Sequence, residues 1–270
     1  MIFQEKLDAI VKKNKSLVCV GLDTDVSKIT GNQFLFNKKI IEATHDLVCS
    51  YKLNTAFYEA IGHEGINALK DICDYLRKKY PEIPIIIDAK RADIGNTNVG
   101  YVQFIFTYLG ADAVTVHPYL GEEAIRPFLE QKDKGIIILC RTSNPGAGEF
   151  QDLLISSIQS CNDRDKMVKP LYKIVAENVV NNWNMNNNCM LVVGATYPAE
   201  LAEVRKIVGD MTLLVPGIGA QGGDLEATLK AGLNSKKRGL IINSSRGIIF
   251  AKSPRDEAKK LKQDINQYRK

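Results

Sequence analysis

Two acidic residues and a lysine follow directly after a short isoleucine run at residues 85–87. They are Asp88, Lys90 and Asp93, and a Gly-Asn-Thr turn comes next. Such a run is typical of a buried parallel strand, and the abrupt change to charge marks its end. Because side chains alternate along a strand, we expect Asp88 and Lys90 to point to the same side, where an acid and a base can act together. The alternative is a surface ion pair that closes the strand.

The elements that must position these residues are short apolar runs that alternate with stretches of helical spacing. Eight runs end in polar residues, at 17–22, 47–51, 83–87, 113–116, 136–140, 190–193, 213–215 and 240–242. Eight strands alternating with helices predict an α/β fold of the (β/α)8 TIM barrel type. A doubly wound open sheet is the alternative, but no G-x-G-x-x-G follows the first run to support a dinucleotide site.

Length and composition fit this class. The chain has 270 residues, 45% of them hydrophobic and 25% charged, with a net charge of +5. That mild charge suits an anionic small molecule and does not favour nucleic acid. Six cysteines without a C-x-x-C pair argue for a reducing compartment and against a zinc site. With an amphipathic N-terminus and no apolar stretch of membrane-spanning length, we expect a cytoplasmic protein without a membrane partner.

We expect one domain over residues 1–270, because no linker-like stretch divides the chain. One segment exceeds what a minimal barrel needs. Residues 142–188 contain a Ser-Asn-Pro-Gly turn, a helical pattern at 171–183 and an Asn-rich run, and we interpret them as an elaborated connection after the fifth strand. Trp183 in this connection is expected to pack in the core.

Polar residues at the carboxyl ends of barrel strands surround one opening, however far apart they lie in sequence. The candidates for that opening are Asp23, Lys52, Asp88, Lys90, His117, Arg141 and Arg246. The sequence leaves open whether Lys52 faces this opening opposite Asp88 or lies at the surface with its ammonium in water. His117 has no second histidine or carboxylate at helical spacing, so we expect a structural role at a strand end.

Two glycine-rich stretches follow the last two predicted strands, at residues 216–224 and 243–247. Phosphate sites of TIM barrels lie in these loops, where glycine lets backbone N–H groups approach the anion. Arg246 adds a permanently charged fork that matches phosphate oxygens. The pattern predicts a phosphate site, and the alternative is two ordinary strand-to-helix turns.

The run at 88–97, Asp-Ala-Lys-Arg-Ala-Asp-Ile-Gly-Asn-Thr, resembles the D-x-K-x-x-D-[IV]-x-x-T signature of the orotidine 5′-phosphate decarboxylase family. The likeness extends to residues 21–23, 51–59, 141–146, the Pro216 loop and 245–247. The Arg-Thr-Ser-Asn-Pro-Gly segment is similar to the branch with a longer connection after strand five. One departure is Ala92, where many relatives have glycine, which could shift the turn that carries Asp93.

The resemblance implies a cofactor-free and metal-free enzyme that converts orotidine 5′-phosphate to UMP and CO2 and acts as a homodimer. It implies catalytic roles for Lys52, Asp88, Lys90 and Asp93, with Asp93 and Thr97 reaching the partner's site. It implies substrate contacts from Asp23, Asn54, Thr97, Thr142, Ser143, Pro216, Gln221, Gly222, Ser245, Arg246 and Gly247. By analogy Asp23 and Asn54 meet the ribose or order the charges, Thr142 and Ser143 the pyrimidine, and Gln221 and Arg246 the phosphate.

Loss of CO2 from C6 of the ring leaves a carbanion without an ordinary electron sink. A lysine held between carboxylates can stabilise that charge and then deliver a proton to carbon, which is the role we expect for Lys90. Asp88 beside the departing carboxylate would add like-charge stress.

Three other functions stay open at this point. A sugar-phosphate decarboxylase or aldolase on the same barrel would rely on Mg²⁺ to stabilise an enediolate. A Schiff-base aldolase is disfavoured, because paired carboxylates keep lysines charged. A non-catalytic phosphate-binding barrel would not need all four charged residues. The sequence also leaves open an association with orotate phosphoribosyltransferase, the enzyme of the preceding step.

Overall fold

Eight parallel strands form a closed barrel in the computed structural model, which describes residues 1–156, 168–219 and 222–269. The strands, in chain order, are β1 (Val18–Gly21), β2 (Ser50–Asn54), β3 (Ile85–Arg91), β4 (Ala113–Val116), β5 (Gly135–Arg141), β6 (Leu154–Ser156), β7 (Val168–Pro170), β8 (Cys189–Val193), β9 (Leu213–Pro216) and β10 (Leu240–Ser244). Strands β6 and β7 pair antiparallel outside the barrel, and the other eight close it. The predicted (β/α)8 TIM barrel is confirmed.

Helices alternate with the barrel strands and cover them. They are α1 (Phe3–Asn14), α2 (Gln33–Thr44), α3 (Ala56–Glu59), α4 (Gly62–Lys79), α5 (Gly95–Val102), α6 (Gly121–Leu129), α7 (Gly148–Gln151), α8 (Leu171–Asn178), α9 (Pro198–Val208), α10 (Leu225–Gly232), α11 (Arg246–Ile249) and α12 (Pro254–Gln267). A π-helical turn extends α5 (Gln103–Tyr108) and another extends α8 (Val179–Trp183). Among the described residues, no helix is both long and apolar enough to cross a bilayer.

Hydrophobic burial explains why these segments fold as they do. The strands β1 and β8 are buried along their whole length, as expected for parallel strands with helices on one face and the barrel core on the other. Helix α4 buries Leu69, Ile72 and Leu76, which recur at helical spacing. Each such side chain contributes about 1.5–3 kcal/mol when it leaves water.

The segment between β5 and β8 contains α7, the β6–β7 hairpin and α8 with its π-helical turn. Helix α8 begins at Leu171, and Trp183 at the end of the π-helical turn is 8% exposed, so its expected packing in the core is confirmed. Residues 157–167 lie outside the described part of the chain.

The ladder between β3 and β4 is irregular at the end where the charged residues lie. Ile87 pairs with Val114, and the next pair joins Arg91 to Val116. Three residues of β3 therefore face a single residue of β4, which is Thr115. Bulges of this kind re-aim side chains and are common beside active sites.

Candidate active site

A cavity of about 470 Å³ opens at the carboxyl ends of the barrel strands. Ten of the predicted site residues line it, namely Asp23, Lys52, Asn54, Asp88, Lys90, Thr142, Ser143, Pro216, Ser245 and Arg246. Four others, Asp93, Thr97, Gly222 and Gly247, do not line it. Gln221 lies outside the described residues. The structure thus brings most of the predicted set to one opening, and these residues come from six different strands or the loops that follow them.

Lys52 lies inside the barrel and not at the surface. It belongs to β2, where the strand begins and ends three residues later than the apolar run suggested, and it is 3% exposed. Its Nζ donates to Asp88 Oδ2 at 2.9 Å and lies 3.6 Å from Asp23 Oδ1. Between the two positions that the sequence left open, the structure selects the one facing the cavity.

Asp88 is shared by two lysines. Its Oδ2 accepts from Lys52, and its Oδ1 accepts from Lys90 Nζ at 2.7 Å. Asp88 is 8% exposed, whereas 47% of the Lys90 side chain is exposed. Asp88 and Lys90 thus meet, as the sequence led us to expect, although Lys90 lies in the irregular part of β3. The ammonium of Lys90 is held at one edge and open to the cavity at the other.

The pKa values of the buried members follow from this pairing. Burial alone would raise the pKa of Asp88, but the positive charges of Lys52 and Lys90 outweigh it and hold that pKa well below its usual range. Burial alone would lower the pKa of Lys52, but the carboxylates of Asp23 and Asp88 outweigh it and raise that pKa. Both groups are therefore charged at neutral pH.

Asp23 joins this group to the loop after β10. Its Oδ1 accepts from the backbone N–H of Asn54 at 3.2 Å, and its Oδ2 lies 2.7 Å from the hydroxyl of Ser245. That hydroxyl is also 2.8 Å from the carbonyl oxygen of Gly21. A Cβ at Gly21 would meet the Ser245 Oγ at 2.7 Å, so only glycine permits this close approach. The predicted residues Asp23, Asn54 and Ser245 form one hydrogen-bonded wall of the cavity.

The segment after β5 supplies Thr142, Ser143 and Asn144 to the cavity. Gln151 of α7 holds it in place, because its Oε1 accepts from the Thr142 N–H at 2.8 Å and its Nε2 donates to Thr142 Oγ1 at 2.9 Å. Gln151 also lines the cavity and was not among the predicted residues. Its position depends on the fold of the connection, which local sequence pattern does not reveal.

Arg141 and His117 were candidates for the common opening, and neither lines the cavity. Arg141 is 2% exposed, donates to Asp152 Oδ2 at 2.9 Å and stacks on the ring of Tyr197, with 3.7 Å from guanidinium carbon to ring centroid. Its partners turn it away from the cavity and into the connection after β5.

His117 has the structural position at a strand end that its isolation in the sequence predicted. Its Nε2 lies 3.2 Å from the carbonyl oxygen of Ala92, and its Nδ1 accepts from the backbone N–H of Tyr119 at 3.3 Å. These contacts fit the tautomer with hydrogen on Nε2. The ring thereby fixes the turn after β3, including Ala92, the residue that departs from the family pattern.

Asp93 and Thr97 lie outside the cavity of their own chain. Within the described residues, the Asp93 carboxylate accepts only from the backbone N–H of Ile94, at 2.6 Å. The turn that carries it is fixed by Asn98, which is fully buried and bonds both the N–H and the carbonyl of Asp93. Asn98 is a second residue that the sequence did not single out. Ile94 and Val99 beside it are 58% and 48% exposed.

The loops after β9 and β10 border the cavity through Pro216, Gly217, Ile218 and Arg246. Gly217, Gly219 and Gly222 have φ values of 103°, 77° and 79°, in the region that favours glycine. Arg246 begins α11, and its exposed side chain has no hydrogen bond or ion pair within the described residues. The described part of the chain contains no group of three or more His, Cys, Asp or Glu side chains placed to hold a metal ion.

The cavity also has lining residues that the sequence did not predict. Thr115, Leu139, Val192, Leu214 and Asn243 line it from the barrel strands, and Phe57 from α3. Thr115, Leu139, Val192 and Leu214 lie in runs that were identified as strands, and Asn243 directly follows such a run, but which of them face inward depends on the closure of the barrel. Thr115 matters most, because its hydroxyl contacts Asp88.

Comparison with known proteins agrees with the observed fold. The family model described as "Orotidine 5'-phosphate decarboxylase / HUMPS family" matches residues 16–261. Orotidine 5′-phosphate decarboxylase of Janthinobacterium sp. (strain Marseille) is 46% identical, with 97% of this chain and 95% of the relative covered. The solved structure of Leishmania donovani OMP decarboxylase is 39% identical with a TM-score of 0.88, covering 100% of this chain and 99% of that one. Leishmania donovani UMP synthase is 40% identical with a TM-score of 0.90, covering 100% of this chain and 57% of that one. This chain belongs to the orotidine 5′-phosphate decarboxylase / HUMPS family.

Proposed function

We propose that this protein decarboxylates orotidine 5′-phosphate to UMP and CO2 in pyrimidine biosynthesis. One observation carries the proposal: Lys52 and Lys90 share the buried carboxylate of Asp88 at the wall of a cavity that Arg246 also lines. The family membership supports the substrate, because the relatives that match over their full length are named for this reaction. The charged groups support the chemistry.

In the proposed reaction the bond between C6 and its carboxylate carbon breaks, and the electron pair stays on C6. The ammonium of Lys90 stabilises this charge and then transfers a proton from Nζ to C6, which leaves a neutral amine for solvent to reprotonate. Asp88 keeps the ammonium in place and adds repulsion against the substrate carboxylate. Lys52 compensates the charge of Asp88, so the carboxylate stays ionised although it is buried.

The proposed substrate contacts combine the family resemblance with the lining of the cavity. We assign the ribose to Asp23 and Asn54 and the pyrimidine to Thr142 and Ser143. The phosphate is assigned to the loops after β9 and β10, through the predicted residues Pro216, Gln221, Gly222, Ser245, Arg246 and Gly247. Closing these loops on the phosphate would put remote binding energy into excluding water from the reacting carbon.

We further propose a homodimer in which Asp93 and Thr97 enter the partner's site. The support is that Asp93 accepts only a neighbouring N–H within the described residues, and that exposed Ile94 and Val99 lie beside it. Mixing two inactive variants, Lys90→Ala and Asp93→Ala, tests this. If Asp93 acts across the interface, hybrids contain one intact site and activity returns; if Asp93 acts in its own chain, the mixture stays inactive.

Three further predictions remain proposals. Residues 1–270 are proposed to form one domain with the elaborated connection at 142–188, which limited proteolysis would test. Association with orotate phosphoribosyltransferase is tested by co-elution of the two purified proteins. A cytoplasmic location is tested by cell fractionation.

The function itself is tested by following the absorbance of orotidine 5′-phosphate with the purified protein in the presence of EDTA. We expect stoichiometric conversion to UMP at a rate that EDTA does not change. Conversion that stops with EDTA and returns with Mg²⁺ would favour the metal-dependent sugar-phosphate enzymes of the same barrel instead. No conversion, with retained nucleotide binding, would indicate a non-catalytic phosphate-binding barrel.

A further inference from the structure

Thr115 occupies an unusual position opposite the bulge in β3. The ladder pairs Ile87 with Val114 and Arg91 with Val116, so Asp88, Ala89 and Lys90 face Thr115 alone. Thr115 is 1% exposed and borders the cavity. In a bulge, the backbone groups of the extra residues lack the regular hydrogen-bond partners that the neighbouring strand otherwise supplies.

The hydroxyl of Thr115 contacts both functional residues of the bulge. It accepts from the backbone N–H of Lys90 at 3.0 Å and donates to Asp88 Oδ1 at 2.8 Å. The same carboxylate oxygen accepts from Lys90 Nζ at 2.7 Å. The Thr115 hydroxyl therefore contacts the backbone of Lys90 directly, and it contacts the same Asp88 oxygen that binds the Lys90 side chain.

Lys90 has a backbone conformation that side chains with a Cβ seldom adopt. Its φ is +48°, in the left-handed region. Such conformations persist where surrounding contacts determine them, and they are common at active sites. The hydrogen bond from the Lys90 N–H to Thr115 is the contact that holds this backbone group.

We propose that Thr115 is a positioning residue that fixes both the backbone of Lys90 and the carboxylate of Asp88, so that Nζ stays aimed into the cavity. This rests on the proposed function of Lys90 as proton donor. Thr115 acts through Lys90 and Asp88, and its single hydroxyl hydrogen is already directed at Asp88. The nearly isosteric change Thr115→Val removes both hydrogen bonds while preserving most of the volume.

The experiment compares Thr115→Val with Thr115→Ser and with Thr44→Val. Thr44 is a matched control, because it is also buried and hydrogen-bonded but lies at the end of α2 and outside the cavity. We expect kcat of Thr115→Val to fall about 100-fold, as for a small misplacement of a reacting group. KM for orotidine 5′-phosphate and Kd for UMP should change less than about threefold, because no substrate contact is removed. Thr115→Ser should restore most of kcat, and Thr44→Val should leave it unchanged.

A kcat for Thr115→Val within about threefold of wild type would overturn the proposal. So would a parallel rise in Kd for UMP, because Thr115 would then contact the ligand, or an equal loss of kcat in Thr44→Val. If the valine variant does not fold, Thr115→Ala carries the same expectation.

A crystal structure of the Thr115 variant separates this proposal from the proposed function. We expect Lys90 to leave the left-handed region and Nζ to move away from Asp88. If the wild type does not decarboxylate orotidine 5′-phosphate but Lys90 moves in this way in the variant, the proposed function is wrong and the positioning role of Thr115 is supported. If Lys90 keeps its conformation in the variant, the positioning role is wrong, whatever the activity of the wild type.

Discussion

The same types of charged side chain have different roles at the two ends of the barrel. At the amino ends of the strands, Lys6 of α1 pairs with Asp112, with Nζ 2.8 Å from Oδ1. The other oxygen of Asp112 accepts from the backbone N–H of Ile85 at 2.8 Å. The carboxylate is thus bonded through both oxygens, and the pair joins α1 to the starts of β3 and β4.

Arg205 of α9 is also held by several hydrogen bonds at the amino ends of the strands. Its guanidinium donates to the backbone carbonyls of Gly209, Met211, Gly232 and Gly239, at 2.6 to 2.9 Å. Burial lowers the pKa of Arg205 to about 10, although nearby Asp210 opposes the shift. A positive charge is accepted here because it satisfies carbonyls that would otherwise be buried without partners.

At the carboxyl ends of the strands, some charged side chains keep hydrogen-bonding capacity that no group in the described part of the chain uses. Asp88 serves two lysines, Lys90 keeps nearly half of its side chain exposed, and Arg246 has no partner among the described residues. Charge alone therefore does not mark the site. The site is marked by charged groups that the fold holds in place without satisfying all of their hydrogen bonds, so that a substrate can supply the remaining partners.

The largest expected effect comes from Lys90, whose side chain is nearly half exposed although its ammonium pairs with Asp88. Lys90→Ala should lower kcat by at least about 10⁴-fold, since both electrostatic stabilisation and proton delivery are lost. Its unfolding midpoint in urea should fall less than that of Lys52→Met, because Asp88 keeps its buried partner Lys52. Steady-state kinetics and urea unfolding check this, and a variant with a large fraction of wild-type kcat would show that the proton donor is misassigned.

The two arginines should separate binding from folding. Arg246→Ala should lower kcat/KM by about 100-fold or more, because a desolvated charge contact to phosphate contributes about 2–5 kcal/mol, and should leave stability unchanged. Arg205→Ala should destabilise the fold by leaving carbonyls unpaired, and the folded fraction should keep its kcat. Near-normal kinetics of Arg246→Ala would place the phosphate elsewhere.

Two lysine-to-methionine changes compare the ends directly by stability. Lys52→Met should cost about 3–5 kcal/mol in the free energy of unfolding, because it leaves Asp23 and Asp88 buried with less compensation. Lys6→Met should cost about 1 kcal/mol, since Asp112 is partly exposed and keeps a backbone donor. Urea unfolding at pH 7 measures both, and equal costs would erase the proposed difference between the ends.

The pH dependence of the Lys52→Met deficit follows from the pKa of Asp88. In the wild type this pKa is depressed, so the stabilisation is present above the unfolded value of about 3.9 and is lost as pH falls below it. In the variant, protonation relieves the uncompensated carboxylates. The stability difference between wild type and variant should therefore shrink as the pH is lowered towards 4.

The fold could be predicted from the sequence because barrel strands are continuous apolar runs. The runs predicted at 113–116 and 213–215 match β4 and β9 almost residue for residue. The run at 47–51 was displaced, because strand β2 continues through Lys52 to Asn54, and a buried lysine breaks the hydrophobic pattern. Pattern reasoning fails at such positions because the charge is there for the site and not for the strand.

The candidate site was predictable from charged residues at strand ends and, for the residues in loops, from the family resemblance. Asp88 follows from its position in β3, whereas Arg141 was misassigned because its direction depends on Asp152 and Tyr197 in the connection after β5. Thr115 was missed because its importance arises from a ladder irregularity in the neighbouring strand. Contacts between distant segments carry that information, and local spacing does not.

The smallest expected effect lies at a saturated pair outside the cavity, between Asp46 and Arg255. The Arg255 guanidinium hydrogen-bonds both carboxylate oxygens, at 2.7 and 2.8 Å, and lowers the pKa of Asp46 to about 2. Because that folded-state pKa is depressed, the pair stabilises the protein above the unfolded value of about 3.9, and the contribution is lost as pH falls towards 2. Both side chains are nearly half exposed, so solvent screening limits the loss in Asp46→Asn to less than about 1 kcal/mol at pH 7, with kcat unchanged. Urea unfolding at pH 7 and pH 3 measures the change in the free energy of unfolding, and Asp71→Asn serves as an exposed control. A loss as large as that of Lys52→Met would mean that this surface ion pair stabilises the fold as much as the shared charges at the cavity do.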